Sequence, residues 1–244
     1  LTTIVHDIES VRYTGKLSEE EREQLSCFDS IIAHTPAMQE LLISSGISAD
    51  RIRLLQLFDY LATPPSPSPL NYQEGMPREV CFAGNLGKSL FLPELQQIVG
   101  ADLHVLLYGV GLSEEVELSD ELQFKGKFAP DDLTLLRGHY GLVWDGDSIT
   151  TCTGRIGEYL KINAPHKASL YIAAGIPLIV WRHSAIAPYV LEHQLGIAVD
   201  SLLELPERLA SIDIAQYTRY REAVQVEQMK ITQGLHLRNI ISAL

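Results

Sequence analysis

The stretch 144-WDGDSITTCTGRIGEYLKINAPHKASLYIAAGIPLIVW-181 decides the fold. The apolar run at 141–144 predicts a strand, and a polar, glycine-containing loop follows over 145–164. Residues 165–174 then predict a helix that ends at a glycine, before a second apolar strand at 177–181. A unit of this kind joins two parallel strands by a right-handed crossover. A loop of this length inside a compact domain is usually functional.

Strands and helices alternate on both sides of this stretch, which predicts two doubly wound α/β domains. Before it, we predict strands at 2–5, 29–34 and 51–59 and helices starting at Ser18 and Pro36. The remaining predicted strands are 79–83, 103–108, 122–125 and 197–199, and the remaining helices are 130–137, 185–192, 202–209 and one or two within 215–244. The last segment has the spacing of a buried helical face, carried by Leu235, Leu237, Ile240, Ile241 and Leu244.

A proline-rich segment separates the two domains. Residues 63–69 read TPPSPSP, and proline removes a backbone donor and fixes φ, which disfavours helix and central strand. The chain opens on a strand without an initiating methionine, so we expect residues before Leu1 to be missing and the first domain to be truncated. The predicted parts are an N-terminal Rossmann-like domain at 1–62, a linker at 63–75, a C-terminal Rossmann-like domain at 76–226 and a terminal helix at 227–244, which packs back on the first domain or mediates self-association.

Composition argues against several classes of protein. The formal net charge of -12 and the pI near 5.1 argue against general binding to nucleic acid or anionic membranes. No apolar run reaches the roughly 18 residues of a transmembrane segment, and no signal-peptide pattern is visible. Because the cysteines lack metal-ligand spacing, we expect a reduced, cytoplasmic protein without disulfides or a zinc site; they are Cys27, Cys81 and Cys152.

Two segments have features of phosphate-binding sites. In 84-GNLGKS-89, glycines after a strand let backbone N–H groups approach a phosphate and Lys88 adds charge, although a structural turn fits equally well. At the start of the later helix, Lys167 opposes the helix dipole at a cost of about 0.3–1 kcal/mol, which a bound anion would explain. His166 could donate to the same anion. The alternative is a solvated lysine beside a core histidine.

Further polar residues follow predicted strands. Since ligands bind at the carboxyl ends of parallel strands, His6 and Asp7 are expected to face a cleft. Asp7 is a candidate general base for a hydroxyl nucleophile, with His6 as the alternative, but Asp7 could equally cap a turn. Five polar residues of the long strand-to-helix connection share the edge of the second sheet: Asp145, Arg155, Glu158, Tyr159 and Asn163.

Six motifs together resemble one group of bacterial GT-B glycosyltransferases. This group includes the glucosyltransferases that extend O-linked glycans on serine-rich adhesins and the galactofuranosyltransferases of surface polysaccharides. The resemblance covers nearly the whole chain in the same order, and its last motif is the most specific. The motifs are HDIESVR at 6–12, QLFDY at 56–60, CFAGNLGKS at 81–89, LLYGVG at 106–111, GLVWDG at 141–146 and GEYLKINAPHKASLYIAAGIPLIVW at 157–181.

The resemblance implies a GT-B-like fold in which two Rossmann-type domains face a cleft. It also implies a nucleotide sugar, usually a UDP-sugar, in the second domain and a glycan or glycopeptide acceptor against the first, with no metal or other cofactor. Lys88 and Lys167 would stabilise the leaving diphosphate, while Asn163 and Tyr159 would form hydrogen bonds with sugar or ribose hydroxyls. The implied donor-binding residues are Gly84, Asn85, Lys88, Tyr108, Gly109, Asp145, Arg155, Tyr159, Asn163, His166 and Lys167.

The sequence leaves alternatives open for both the stereochemical outcome of sugar transfer and the function of the protein. Many retaining GT-B families carry a Glu-x7-Glu pair, and the corresponding residues here are Ile162 and Leu170, which favours inversion. One alternative function is a non-catalytic nucleotide-sugar-binding or assembly subunit of a glycosyltransferase complex, which would lack a competent base. Another is a GT-B-fold epimerase, which would act on the nucleotide sugar itself. A homo-oligomer is compatible with all of these.

Overall fold

The computed structural model describes residues 1–65, 72–73 and 76–244. Most of the predicted linker at 63–75 therefore lies outside the described residues, and the domain boundary placed there stays a prediction. The described residues form two separate parallel sheets, one from the first part of the chain and one from the second. The predicted α/β architecture is confirmed.

The first sheet has three parallel strands in the order β1-β2-β3. Its strands are β1 (Thr2–Ile4), β2 (Ser30–Ala33) and β3 (Ile52–Leu54), and its helices are α1 (Glu9–Thr14), α2 (Glu19–Ser26) and α3 (Pro36–Ser44). The predicted start of α2 is confirmed, because the Ser18 hydroxyl accepts from the Glu21 N–H at 3.2 Å. Helix α1 was not predicted, since its N-terminal residue Ile8 has no capping side chain.

The second sheet has six parallel strands in the order β6-β5-β4-β7-β8-β9. They are β4 (Arg78–Asn85), β5 (Leu103–Val110), β6 (Leu122–Phe124), β7 (Tyr140–Val143), β8 (Leu178–Trp181) and β9 (Gly196–Val199). The strand order reverses between β4 and β7. In doubly wound sheets, ligands bind outside the carboxyl ends of the strands at such a reversal.

Six further helices lie in the described second part of the chain, and two predictions for this part are corrected. They are α4 (Gly154–Tyr159), α5 (His166–Ala173), α6 (Ala187–Glu192), α7 (Leu205–Ala210), α8 (Ile214–Thr232) and α9 (Leu235–Ser242). The predicted loop at 145–164 contains α4. The predicted helix at 130–137 is wrong, because only the 3-10 turn Leu133–Leu135 forms there. The Asp132 carboxylate accepts from the Thr134 N–H at 3.1 Å, a local bond that competes with a helix.

Alternate residues of the central strands face opposite sides of the second sheet. In β4, Val80 and Phe82 pack in one buried cluster, whereas Cys81 and Ala83 pack in the other. Helix α5 lies on the side of Cys81 and Ala83, where its residues are buried along most of its length. This packing holds the first turn of α5 at the carboxyl edge of the sheet.

Helix α9 returns to the first sheet. Its Leu237 and Ile240 are partly buried against the cluster that contains Ile32 and Phe58, and the Asp59 carboxylate accepts from the first turn of α9. The predicted buried face is nevertheless wrong in extent, because no residue of α9 is fully buried and Ile241 and Leu244 of that set are 56% and 52% exposed. In the part of the chain that the structure describes, no helix is long and apolar enough to cross a membrane.

Candidate functional site

A glycine pair brings the ends of β4 and β5 close together. Gly84 and Gly109 are register partners in the two strands. Gly109 has φ of 141°, and a Cβ at this position would lie 1.9 Å from the Gly84 carbonyl oxygen. Only glycine fits here without moving the backbone. Because neither residue has a side chain, the backbones at the carboxyl ends of β4 and β5 can be approached by a ligand.

A cavity of about 380 Å³ opens at this edge, and we call it the strand-end cavity. Its lining includes five of the residues predicted from the sequence: Gly84, Asn85, Gly109, His166 and Lys167. Seven other lining residues were not predicted as site residues, and the polar or aromatic ones among them are Tyr60, Lys127 and Phe128. Lys127 and Phe128 follow the end of β6, so the rule that ligands bind at strand ends could have found them.

Lys167 is held at the rim of the strand-end cavity by an ion pair. Its Nζ donates to Asp145 Oδ1 at 2.6 Å and to the Trp144 carbonyl at 3.3 Å. The two charged side chains are only 17% and 19% exposed, which strengthens their attraction relative to a pair in water. A lysine ammonium has three N–H donors, so one remains for a ligand.

Three rings connect the two sheets across the cleft. His6, at the end of β1, stacks on Phe58 with ring centroids 4.9 Å apart, and Phe58 stacks on His166 at 4.2 Å. The His6 and His166 centroids are 5.6 Å apart. Burial lowers the pKa of His166, and the neighbouring His6 adds to this effect. The structure thus brings a predicted catalytic residue to the start of the predicted donor-site helix.

A third histidine packs against this stack. His34 is fully buried, and its ring meets the Phe58 ring edge-on at 4.4 Å. Its Nε2 pairs with the Val5 carbonyl, and its Nδ1 accepts from the Ala164 N–H at 3.4 Å, which corresponds to the neutral tautomer. Burial lowers the pKa of His34 to about 4. This neutral ring fastens the loop before α5 to the end of β1.

Asp7, next to His6 at the end of β1, is bound by an ion pair. Its carboxylate forms an ion pair with Arg12 of α1 and does not cap α1. With His6, it lines a cavity of about 260 Å³ on the first sheet, where Glu21 and Gln24 of α2 add polar groups. Both residues line this cavity, but the His6 ring also stacks beside His166 of α5, whereas the Asp7 carboxylate is paired with α1.

Two predicted donor-binding tyrosines make buried contacts outside the strand-end cavity. Tyr159 is buried, and its hydroxyl accepts from the Ile8 N–H of the first sheet at 2.9 Å. Tyr108 is buried on the other side of Phe128, and its hydroxyl accepts from the Arg137 N–H at 3.2 Å. Burial raises the pKa of each hydroxyl to about 12. Neither side chain lines the strand-end cavity.

The remaining predicted residues lie around the site rather than in it. Arg155 lines a cavity of about 420 Å³ between α1 and α4. Asn163 is partly buried, and no described residue donates to its side-chain oxygen. Lys88 is exposed in the 3-10 turn Leu86–Lys88 and does not line the strand-end cavity. Among the described residues, no three His, Cys, Asp or Glu side chains are grouped so that they could hold a metal ion.

Two family models match this chain. The N-terminal domain of the glucosyltransferase 3-like family matches residues 1–57, and the C-terminal domain of that family matches residues 80–244. The chain belongs to the glucosyltransferase 3-like family. Both matched segments carry the site, because His6 lies in the first and α5 in the second.

Individual relatives of this glucosyltransferase 3-like chain are glycosyltransferases. It is 31% identical over 246 residues to the beta-1,6-galactofuranosyltransferase WbbI of Escherichia coli K12, covering 99% of this chain and 70% of the relative. It is 23% identical over 245 residues to glucosyltransferase 3 of Streptococcus gordonii, covering 99% and 69%. The family resemblance inferred from the motifs is confirmed.

Solved structures show the same fold. Anabaena HepE in complex with UDP and glucose matches with a TM-score of 0.62 at 16% identity, covering 100% of this chain and 72% of HepE. Sucrose-phosphate synthase from Thermosynechococcus elongatus matches with a TM-score of 0.63 at 18% identity, covering 100% and 68%. The glucosyltransferase 3-like chain therefore has the GT-B fold that its sequence predicted.

Proposed function

We propose that this glucosyltransferase 3-like protein transfers a sugar from a nucleotide sugar, a UDP-sugar, to a glycan or glycoprotein acceptor in surface polysaccharide or adhesin glycosylation. The observation that carries the proposal is the strand-end cavity, where Lys167, the first turn of α5 and the glycine edge of β4 and β5 converge. Two findings on relatives support the choice of donor. WbbI and glucosyltransferase 3 are named as sugar transferases, and HepE was solved with UDP.

The donor site works by supplying positive charge to a diphosphate. The Ala168 N–H binds the Pro165 carbonyl at 3.0 Å, whereas the N–H groups of His166 and Lys167 precede the first bond within the helix and lie at the positive end of its dipole. Lys167 adds an ammonium that Asp145 already orients. As the sugar bond breaks, negative charge grows on the leaving diphosphate, and these fixed donors stabilise it. In this proposal, they do so without a resident metal ion, and activity should persist in EDTA.

The acceptor approaches from the first sheet, and His6 acts as the general base. Its ring stands between the cavity beside β1 and the start of α5, so a hydroxyl there could attack the sugar from the side opposite the diphosphate. Attack of this kind inverts the anomeric configuration. The residues at the positions of the retaining Glu-x7-Glu pair, Ile162 and Leu170, support inversion because neither can act as a nucleophile or acid.

Calorimetric titration with UDP tests the donor site. Lys167→Ala should weaken UDP binding by at least about tenfold, because a charge-assisted hydrogen bond contributes roughly 1.5–3 kcal/mol. Lys161→Ala is the matched control, since Lys161 forms an ion pair with Glu158 outside the strand-end cavity. Unchanged UDP affinity in Lys167→Ala would contradict the diphosphate assignment.

A non-catalytic nucleotide-sugar-binding subunit is the second candidate. The ion pair between Asp7 and Arg12 favours this second function, because the pairing engages the carboxylate of one of the two candidate bases. The two functions differ in turnover. A transferase releases UDP from a nucleotide sugar in the presence of an acceptor, whereas a binding subunit shows the same affinity for UDP and no release.

A further inference from the structure

A second cavity, of about 350 Å³, lies at the opposite edge of the six-stranded sheet. Gly138, which precedes β7, and Ile176, which precedes β8, line it, together with one face of α8. It also reaches Ala174 at the end of α5, whereas the strand-end cavity reaches Lys167 at the start of that helix. We call it the arginine cavity, after Arg137 and Arg221 in its lining.

The lining of the arginine cavity is rich in hydrogen-bond donors. Arg221, Gln225 and Gln228 follow one another at spacings of four and three residues, so they share a face of α8. Arg137 adds a second guanidinium. None of the described lining residues is Asp or Glu, although the chain has 31 acidic residues against 19 basic ones. Asp132 lies near the rim, where it binds Thr134.

The carbonyl groups at the C-terminal end of α5 do not need these arginines as hydrogen-bond donors. A cation near a helix C-terminus often binds the last carbonyl groups. Here the Ala173 carbonyl accepts from Gln228 Nε2 at 2.7 Å. The Ile172 carbonyl accepts from the Gly175 N–H at 2.9 Å, and the Tyr171 carbonyl from the Ile176 N–H at 2.8 Å. The last turn is therefore satisfied without either arginine.

Arg221 keeps one buried donor without an acceptor. Its Nε is buried, and no described residue accepts a hydrogen bond from it. The guanidinium donates to the Tyr217 hydroxyl, which passes its own proton into a hydrogen bond with the His139 carbonyl at 3.1 Å, so this contact leaves the Arg221 Nε without an acceptor. Of the five N–H donors of Arg137, one binds the neighbouring Leu136 carbonyl at 3.0 Å. Buried donors without acceptors cost free energy, which a bound anion would recover.

We propose that the arginine cavity binds a small phosphorylated ligand. Planar guanidinium groups match the oxygens of a phosphate group through paired hydrogen bonds, and a phosphate offers more acceptors than a carboxylate. The volume lies at the small end of the range for small-molecule sites, roughly 300–1,000 Å³. The site is separate from the strand-end cavity, and the proposal does not depend on sugar transfer.

Thermal unfolding in rising concentrations of inorganic phosphate tests the site, with NaCl used to hold the ionic strength constant. Phosphate should raise the unfolding midpoint of the wild type, and Arg221→Gln should weaken phosphate binding at least about tenfold. Arg219→Gln is the control, because it removes the same charge from the exposed face of α8. In Lys167→Ala, phosphate should still raise the unfolding midpoint as it does in the wild type.

Three results would overturn the proposal. Arg221→Gln could respond to phosphate like Arg219→Gln. The response could vanish in Lys167→Ala and survive in Arg221→Gln, which would place the phosphate in the strand-end cavity and leave the proposed function intact. Acetate at equal ionic strength could act as strongly as phosphate. If Arg221→Gln fails to fold, Arg137→Gln replaces it, because Arg137 is exposed at the rim and its loss should weaken phosphate binding to a similar degree.

Discussion

His6 and Asp7 are neighbours in the sequence but lie in different surroundings. The His6 ring stacks on Phe58 beside His166, whereas the Asp7 carboxylate pairs with Arg12. The His6 ring stacks beside His166 at the start of α5, whereas the Asp7 carboxylate acts on His166 through its charge. Their different positions support His6 as the general base and Asp7 as a residue that holds α1 in place.

Substitution of each residue separates the two roles. His6→Gln should lower the transfer rate by about 10²–10⁴-fold, the usual contribution of a general base, and leave UDP affinity unchanged. The measurement is UDP release from a UDP-sugar with acceptor present. His193→Gln serves as the control, because His193 is exposed at the end of α6. A full rate in His6→Gln, or an equal loss in Asp7→Asn, would contradict the assignment.

At the scale of elements, a buried carboxylate fastens α9 to α8. Glu227 is 2% exposed, and it accepts from the Tyr189 hydroxyl at 2.8 Å and from Lys230 Nζ at 2.7 Å. The ring Nε2 of His236, on α9, lies 2.7 Å from the same carboxylate. Although burial alone would raise the pKa of Glu227, these hydrogen bonds lower it to about 2. The cluster keeps α9 against the first sheet.

Glu227→Gln should lower the free energy of unfolding at neutral pH by about 1–3 kcal/mol, because the charged partners lose their acceptor. Since the folded-state pKa lies below the ordinary value near 4.5, the stabilisation is full above that pH and is lost as the pH falls towards 2. The variant should therefore show a shallower loss of stability between pH 5 and 3 in urea unfolding. Glu222→Gln, on the exposed face of α8, should behave like the wild type; equal behaviour of both variants would contradict the role of Glu227.

At the scale of the whole molecule, several contacts fix one sheet against the other. The Tyr159 hydroxyl binds the Ile8 N–H, and the Thr35 hydroxyl pairs with the Ile162 carbonyl. Ser169 Oγ of α5 donates to the Phe58 carbonyl at 2.7 Å. These bonds surround the ring stack, so the relative position of the two sheets sets the distance between His6 and α5.

Tyr159→Phe should lower the free energy of unfolding by about 1–3 kcal/mol, because it leaves the Ile8 N–H buried without an acceptor. Hydrogen exchange at the Ile8 amide should also become faster, which a purely local loss of packing in α4 would not cause. Tyr13→Phe is the control, since Tyr13 is 55% exposed, and it should change stability by less than about 0.5 kcal/mol. An unchanged Ile8 exchange rate would show that the bond is unimportant.

The elements with strong local signals were predictable from the sequence. Ser18 and the glutamates after it predict α2, and the glycine after α5 predicts the end of that helix. Helix α4 lacks such signals, since Thr153 makes no side-chain cap and the helix has only six residues. Packing of Tyr159 against the first sheet stabilises α4, and a local pattern cannot encode a contact with residues that distant.

The same distinction applies to the candidate site. The strand-end glycines, the lysine at the start of α5 and the family could be predicted from the sequence alone, because they depend on residue type and local spacing. Three contacts emerge only in the folded chain: Lys167 pairs with Asp145, His6 stacks beside His166, and the Tyr159 hydroxyl binds the Ile8 N–H of the first sheet. The physical reason is that each of these contacts joins segments whose approach depends on the packing of the whole chain.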